Sequence, residues 1–83
     1  MAENSNYDEP IPGKRLKEAL TAATAVLGRS AQDAMFYDLE LGGIMFKDRS
    51  YTLAELDDAL RKIFGHDGTM LLMQRVQVVL KDG

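Results

Sequence analysis

Phe64-Gly65-His66-Asp67-Gly68 decides the fold, because it puts a glycine where one amphipathic stripe ends and a polar residue where the next can begin. The same punctuation occurs earlier as Leu27-Gly28-Arg29-Ser30, and Thr52-Leu53-Ala54-Glu55 marks a third boundary. Glycine suits the left-handed position just past a last helical turn. Serine, threonine or aspartate can accept the free N–H groups of a first turn. These boundaries cut the chain into four short helices. The expected fold is all-α: a compact bundle of four short helices over residues 14–83, behind a flexible N-terminal tail at residues 1–13.

Working outward, Thr52 and Glu55 match the capping box, with Tyr51 and Leu56 placed for the accompanying hydrophobic staple. Leu53, Leu56, Leu60, Ile63 and Phe64 then make one apolar stripe, and Gly65 stops the third helix. The fourth is expected to start near Asp67 or Thr69 and to reach about Leu80. Its apolar residues, from Met70 to Leu80, cover well over half of the helical circumference. A helix apolar nearly all round is buried on more than one side. It is therefore expected to be central, or to meet another copy of itself. A strand at residues 76–80 is the alternative, since three valines there favour extended structure.

Upstream, Leu16, Ala19, Leu20, Ala23, Val26 and Leu27 follow helical spacing and predict the first helix over residues 14–27. The second is expected from a Ser30 cap to Leu41, with Ala31, Met35, Phe36 and Leu39 along one side and Gly42-Gly43 at its end. Residues 44–51 read as a connection that still covers the core through Ile44 and Phe46, with a turn at Lys47-Asp48-Arg49-Ser50. The tail carries Pro10 and Pro12, which oppose helix and central strand alike. Mobility is expected there through about residue 9, with Tyr7 or Ile11 available to dock on the body.

Composition bounds the function. The chain has 83 residues, 46% hydrophobic and 28% charged, as an ordinary globular domain does. Its net charge of −3 argues against a general nucleic-acid binder. Without cysteine it has neither a disulfide nor a thiolate zinc site. No signal peptide and no apolar run of membrane-spanning length is evident, so a cytoplasmic location is expected. A core this small contributes only about 3–5 kcal/mol net, which makes association with another chain a common means of support.

No constellation carries chemistry. His66 is the only histidine, and at the end of a helix its ring can bond the last carbonyls. Asp57 and Asp58 are adjacent, so on a helix they diverge by about 100° and cannot face one cleft. Asp38, Glu40 and Asp48 have no required relation to them. The glycines lack the lysine and the preceding strand of a phosphate loop, and no calcium-loop spacing occurs. Lys14-Arg15-Leu16-Lys17 is a basic cluster at a helix start. No catalytic residue, cofactor or metal is expected.

Lys17-Glu18-Ala19-Leu20, Leu27-Gly28-Arg29-Ser30-Ala31, Phe36-Tyr37-Asp38-Leu39 and Leu60-Arg61-Lys62-Ile63-Phe64-Gly65, followed by an apolar helix, carry a resemblance. The pattern resembles the small archaeal output domains called Nitrosopumilus output domains, over roughly residues 14–82. The resemblance implies a compact helical fold and a part in signal transduction, with no catalytic residues. The expected function is a small non-catalytic protein–protein interaction or signalling output module, homodimeric through the fourth helix and part of the second. Methionine adapts its shape to varied partners, and Met70, Met73, Val76 and Met35 are the expected partner-binding residues. The alternative is a DNA-binding regulator of helix-turn-helix type. Its second helix, however, offers only Thr69, Gln74, Arg75 and Gln77 among eight apolar residues.

Overall fold

A computed structural model describes residues 5–47 and 49–82. Along the chain come α1 (Ser5–Asp8), β1 (Ile11–Pro12), α2 (Gly13–Ala23), a 3-10 turn (Ala25–Leu27), α3 (Arg29–Leu41), β2 (Ser50–Tyr51) and α4 (Leu53–Asp82). The class is mostly helical, as expected. The count of four short helices is corrected: among the described residues three principal helices stand beside a short helix at Ser5–Asp8, a 3-10 turn and a two-stranded ladder.

The correction lies in α4. The capping box forms as read, with the Thr52 N–H donating to Glu55 Oε1 at 2.9 Å and the Glu55 N–H donating to Thr52 Oγ1 at 3.1 Å. From there helix continues for 30 residues, interrupted only at Gly65 (φ 78°, ψ −173°), where it kinks. The break expected between the third helix and a start near Asp67 or Thr69 thus shrinks to one residue. Apolar spacing explains the kink. Leu53, Leu56 and Leu60 are buried before it; Thr69, Leu72, Met73 and Val76 are buried after it. At about 100° per residue, an unbroken helix would set the second group roughly half a turn out of phase with Leu60. One residue outside helical geometry resets the phase and turns both stripes to one core. The strand considered at residues 76–80 is helix throughout.

Two further helix ends need correction. The first helix stops at Ala23, and Val26 and Leu27 fall in the 3-10 turn. At the start of α3 the capping residue is Gly28 (φ 86°), with no side-chain bond; Ser30 lies inside the first turn. The end of α3 behaves as read. Gly43 (φ 99°) donates to the Glu40 carbonyl and Ile44 to the Leu39 carbonyl, the paired bonds of a Schellman end, with Leu39 and Ile44 both buried.

The segment expected as a tail makes defined contacts from Tyr7 onward; residues 1–4 lie outside the described chain. Ile11 pairs antiparallel with Tyr51 and Pro12 with Ser50. The two-residue ladder leaves proline at an edge, where its missing donor is tolerated. No strand forms at residues 44–46. Gly13 then seats α2 against the following loop so closely that a Cβ would lie 1.9 Å from the Phe46 carbonyl oxygen. Phe46 adopts a left-handed backbone (φ 67°) and packs its ring edge-on to Phe36 at 5.8 Å and to Tyr51 at 6.0 Å. Tyr51 is buried, and its hydroxyl accepts the Met45 N–H at 3.0 Å. Asp48, within the expected turn, lies outside the described residues.

The core gathers Leu16 and Leu20 of α2, Met35 and Leu39 of α3, and both buried stripes of α4. Ala19 and Ala23 let α2 lie against α4. On α3 only Met35 and Leu39 are buried, with Phe36 half-buried and Ala31 and Ala34 exposed. The Cα radius of gyration is 11.8 Å, matching the roughly 12 Å of a close-packed chain of this length.

Candidate functional site

The four expected partner-binding residues do not share a surface. Met35, Met73 and Val76 lie in the core, at most 2% exposed, and only Met70 stands out, at 46%. A partner docking on this conformation cannot touch the first three. The residues it would meet are Leu71, 62% exposed, and Val78, 58% exposed. Both sit roughly half a turn round the helix from the buried stripe. Ala22 of α2 borders a shallow groove there with Gln74, Arg75 and Val78. Apolar character alone does not separate Leu71 and Val78 from the core set; their seven-residue spacing, out of phase with Leu72, Met73 and Val76, does.

Polar groups form a chain on the far side of the kink. Arg61 Nε donates to Asp57 Oδ1 at 2.6 Å, and the Tyr7 hydroxyl donates to Asp57 Oδ2 at 3.3 Å. Arg61 Nη1 lies 2.6 Å from His66 Nδ1. The expected contact of His66 with the last helical carbonyls is replaced by this one. Burial first, and then the Asp57 carboxylate beside it, raise the Tyr7 phenol above its ordinary 10.0. Asp58 turns away to Lys62 at 3.9 Å, so the two aspartates diverge as read. Asp38 and Glu40 are exposed and stand outside this chain of contacts. Among the described residues no three His, Cys, Asp or Glu side chains are grouped to hold a metal ion.

The basic cluster at the start of α2 disperses. Arg15 Nη2 donates to the Leu80 carbonyl at 2.7 Å, tying α2 to the last turn of α4. Lys14 and Lys17 instead border a shallow cleft with Phe46, Lys47 and Arg49. Lys17 lies over the Phe36 ring at 5.4 Å, and Arg49 lies over Tyr51 at 4.0 Å while pairing with Glu55 at 3.2 Å. These cations cover aromatic rings at the edge of the core.

Helix-turn-helix docking sets two helices at about 90–120° through a turn of three or four residues. The two halves of α4 are joined by Gly65 alone. Among the described residues no helix is long and apolar enough to cross a membrane. No protein-family model, no curated protein and no solved structure matches this chain.

Proposed function

We propose that this protein is a non-catalytic protein-interaction module that associates through the outward side of the second half of α4. The carrying observation is the exposure of Met70, Leu71 and Val78 on a helix whose opposite side is already buried. Exposed apolar side chains at helical spacing about Gln74, with Arg75 beside them, form an apolar patch edged by polar groups, the arrangement through which interaction surfaces bind. A signalling output role is part of the proposal and rests on the resemblance to the archaeal output domains. A cytoplasmic setting suits a chain without cysteine.

The test is site-specific photo-crosslinking in the source cells. A photoreactive residue at Leu71 or Val78 is expected to yield discrete covalent products, whether with this chain or another. The same residue at exposed Lys62, on the other half of α4, serves as control and is expected to yield none. Equal labelling at all three positions would remove the proposal.

A further inference from the structure

We infer that the occupant of this face is a second copy of the same chain, lying antiparallel across the second half of α4 about a two-fold axis near Gln74. The inference rests on the interaction-module reading above and assigns its partner and geometry. Along the exposed side run Asp67, Leu71, Gln74, Val78 and Lys81, at spacings of four, three, four and three. That is the seam spacing at which two helices interdigitate. The seam has a symmetry of its own. Measured from Gln74, an apolar residue stands three before and four after; an acid stands seven before and a base seven after.

A two-fold interface presents the same patch on both subunits, so its pattern must be complementary to its own reverse. This seam meets that demand in one direction only. Antiparallel pairing about a point between Gln74 and Arg75 sets Leu71 of one copy against Val78 of the other, and brings Asp67 within one residue of Lys81. Parallel pairing would set Asp67 against Asp67 and Lys81 against Lys81, with like charges at both ends. Arg75 flanks the axis in either case and has length enough to extend its charge into solvent. Asp82 lies beside Lys81, on the flank of the seam, and dilutes that end without reversing it. Apolar positions within one residue of mirror symmetry, with the end charges inverted about the same centre, are the pattern a self-pairing helix requires.

The interface is narrow, two apolar side chains per copy with Met70 and Ala22 beside them, so association is expected to be weak and reversible. Sedimentation from roughly 10 μM to 1 mM should show the mass rising from one protomer toward two, the range expected of a small transient interface. Leu71→Glu should abolish the rise with its thermal melt unchanged, because Leu71 is exposed in the protomer. Asp67→Lys should weaken association, with two end pairs each worth a factor of about two to five. Asp67→Lys combined with Lys81→Asp should restore it. Direction is read by cysteine crosslinking, which the cysteine-free chain permits. A mixture of Asp67→Cys and Lys81→Cys proteins should form a disulfide-linked pair far faster than either protein alone. A wild type monomeric throughout would overturn self-pairing; products in cells at Leu71 and Val78 would then leave the module reading intact with a different partner. Efficient crosslinking of Asp67→Cys to itself, or a dimer indifferent to Leu71→Glu, would overturn the antiparallel geometry or move the interface.

Discussion

The two halves of α4 bury similar stripes and expose opposite chemistry. In residues 53–64 the outward side is charged and internally paired, with Arg61 on Asp57 and Lys62 near Asp58. In residues 66–82 the outward side carries Met70, Leu71 and Val78. The first half is thus finished as a surface helix, capped at its start and ion-paired along its length. The second is apolar on both sides, and the fold shelters only one of them. Folding alone accounts for Leu72, Met73 and Val76. It does not account for Leu71 and Val78, whose exposure costs solubility and contributes nothing to this core.

The sharpest way to break that comparison is to place one charge on each side of the second half. Val76→Glu puts a carboxylate where no solvent reaches. It is expected to cost at least about 3 kcal/mol, enough to unfold a domain of this size. Leu71→Glu is expected to change unfolding free energy by no more than about 0.5 kcal/mol in dilute solution, where the chain is monomeric. Urea denaturation of both variants checks the pair. Comparable losses would mean that Leu71 belongs to the core and that the two sides are not distinct.

Gly65 is what lets the halves differ, and Gly65→Ala tests it. A Cβ there meets nothing within 4 Å, so space is not the issue. The backbone at φ 78° and ψ −173° belongs to a region open essentially to glycine alone, and holding alanine in it costs about 1–3 kcal/mol. Straightening the helix instead would rotate the second stripe off the core. A lowered urea midpoint is the expected result; an unchanged one would show that the phase reset does not depend on this residue.

How much of this was legible beforehand follows from the range of each signal. The capping box at Thr52 and the helix end at Gly42-Gly43 depend on residues a few positions apart, and both form as the sequence implies. The kink at Gly65 was legible as a boundary but not as a kink, because a helix stop and a one-residue break use the same glycine. Gly13 gave no warning, since its need for a bare Cα comes from Phe46, distant in sequence. Of the four residues the sequence singled out for partner binding, the structure buries Met35, Met73 and Val76 and exposes Met70. Excess apolar circumference on the last helix is there, but methionine content selected Met35 and Met73, and phase relative to the buried stripe would have selected Leu71 and Val78.

A stabilising change is expected at Thr69. Its hydroxyl is fully buried and unpartnered among the described residues. A mid-helix threonine normally donates to the carbonyl four residues back. Here that residue is Gly65, whose ψ of −173° turns its carbonyl off the helix. Thr69→Val keeps the shape and removes the orphaned group, so it should raise stability by about 1 kcal/mol. Thermal unfolding checks this. A loss of stability would mean that the hydroxyl has a partner in solution, and that the kink leaves no unmet bond in the second half.

The smallest expected effect lies at the start of the first half, where the capping box should give stability a pH dependence of its own. The Thr52 N–H, first, and the Arg49 guanidinium after it bond the Glu55 carboxylate and lower its pKa from the ordinary 4.5. Because the folded-state value lies below the unfolded one, the contribution is present in full above about pH 4.5. It is lost as pH falls through the folded value. Glu55 is largely in solvent, so screening keeps the effect to a few tenths of a kcal/mol. Glu55→Gln preserves a box-competent side chain without the charge. Its stability should fall less steeply than that of wild type between pH 5 and pH 3, with the two curves separated most near neutral pH. Parallel curves across that window would show that the carboxylate's charge does not hold the first turn of α4.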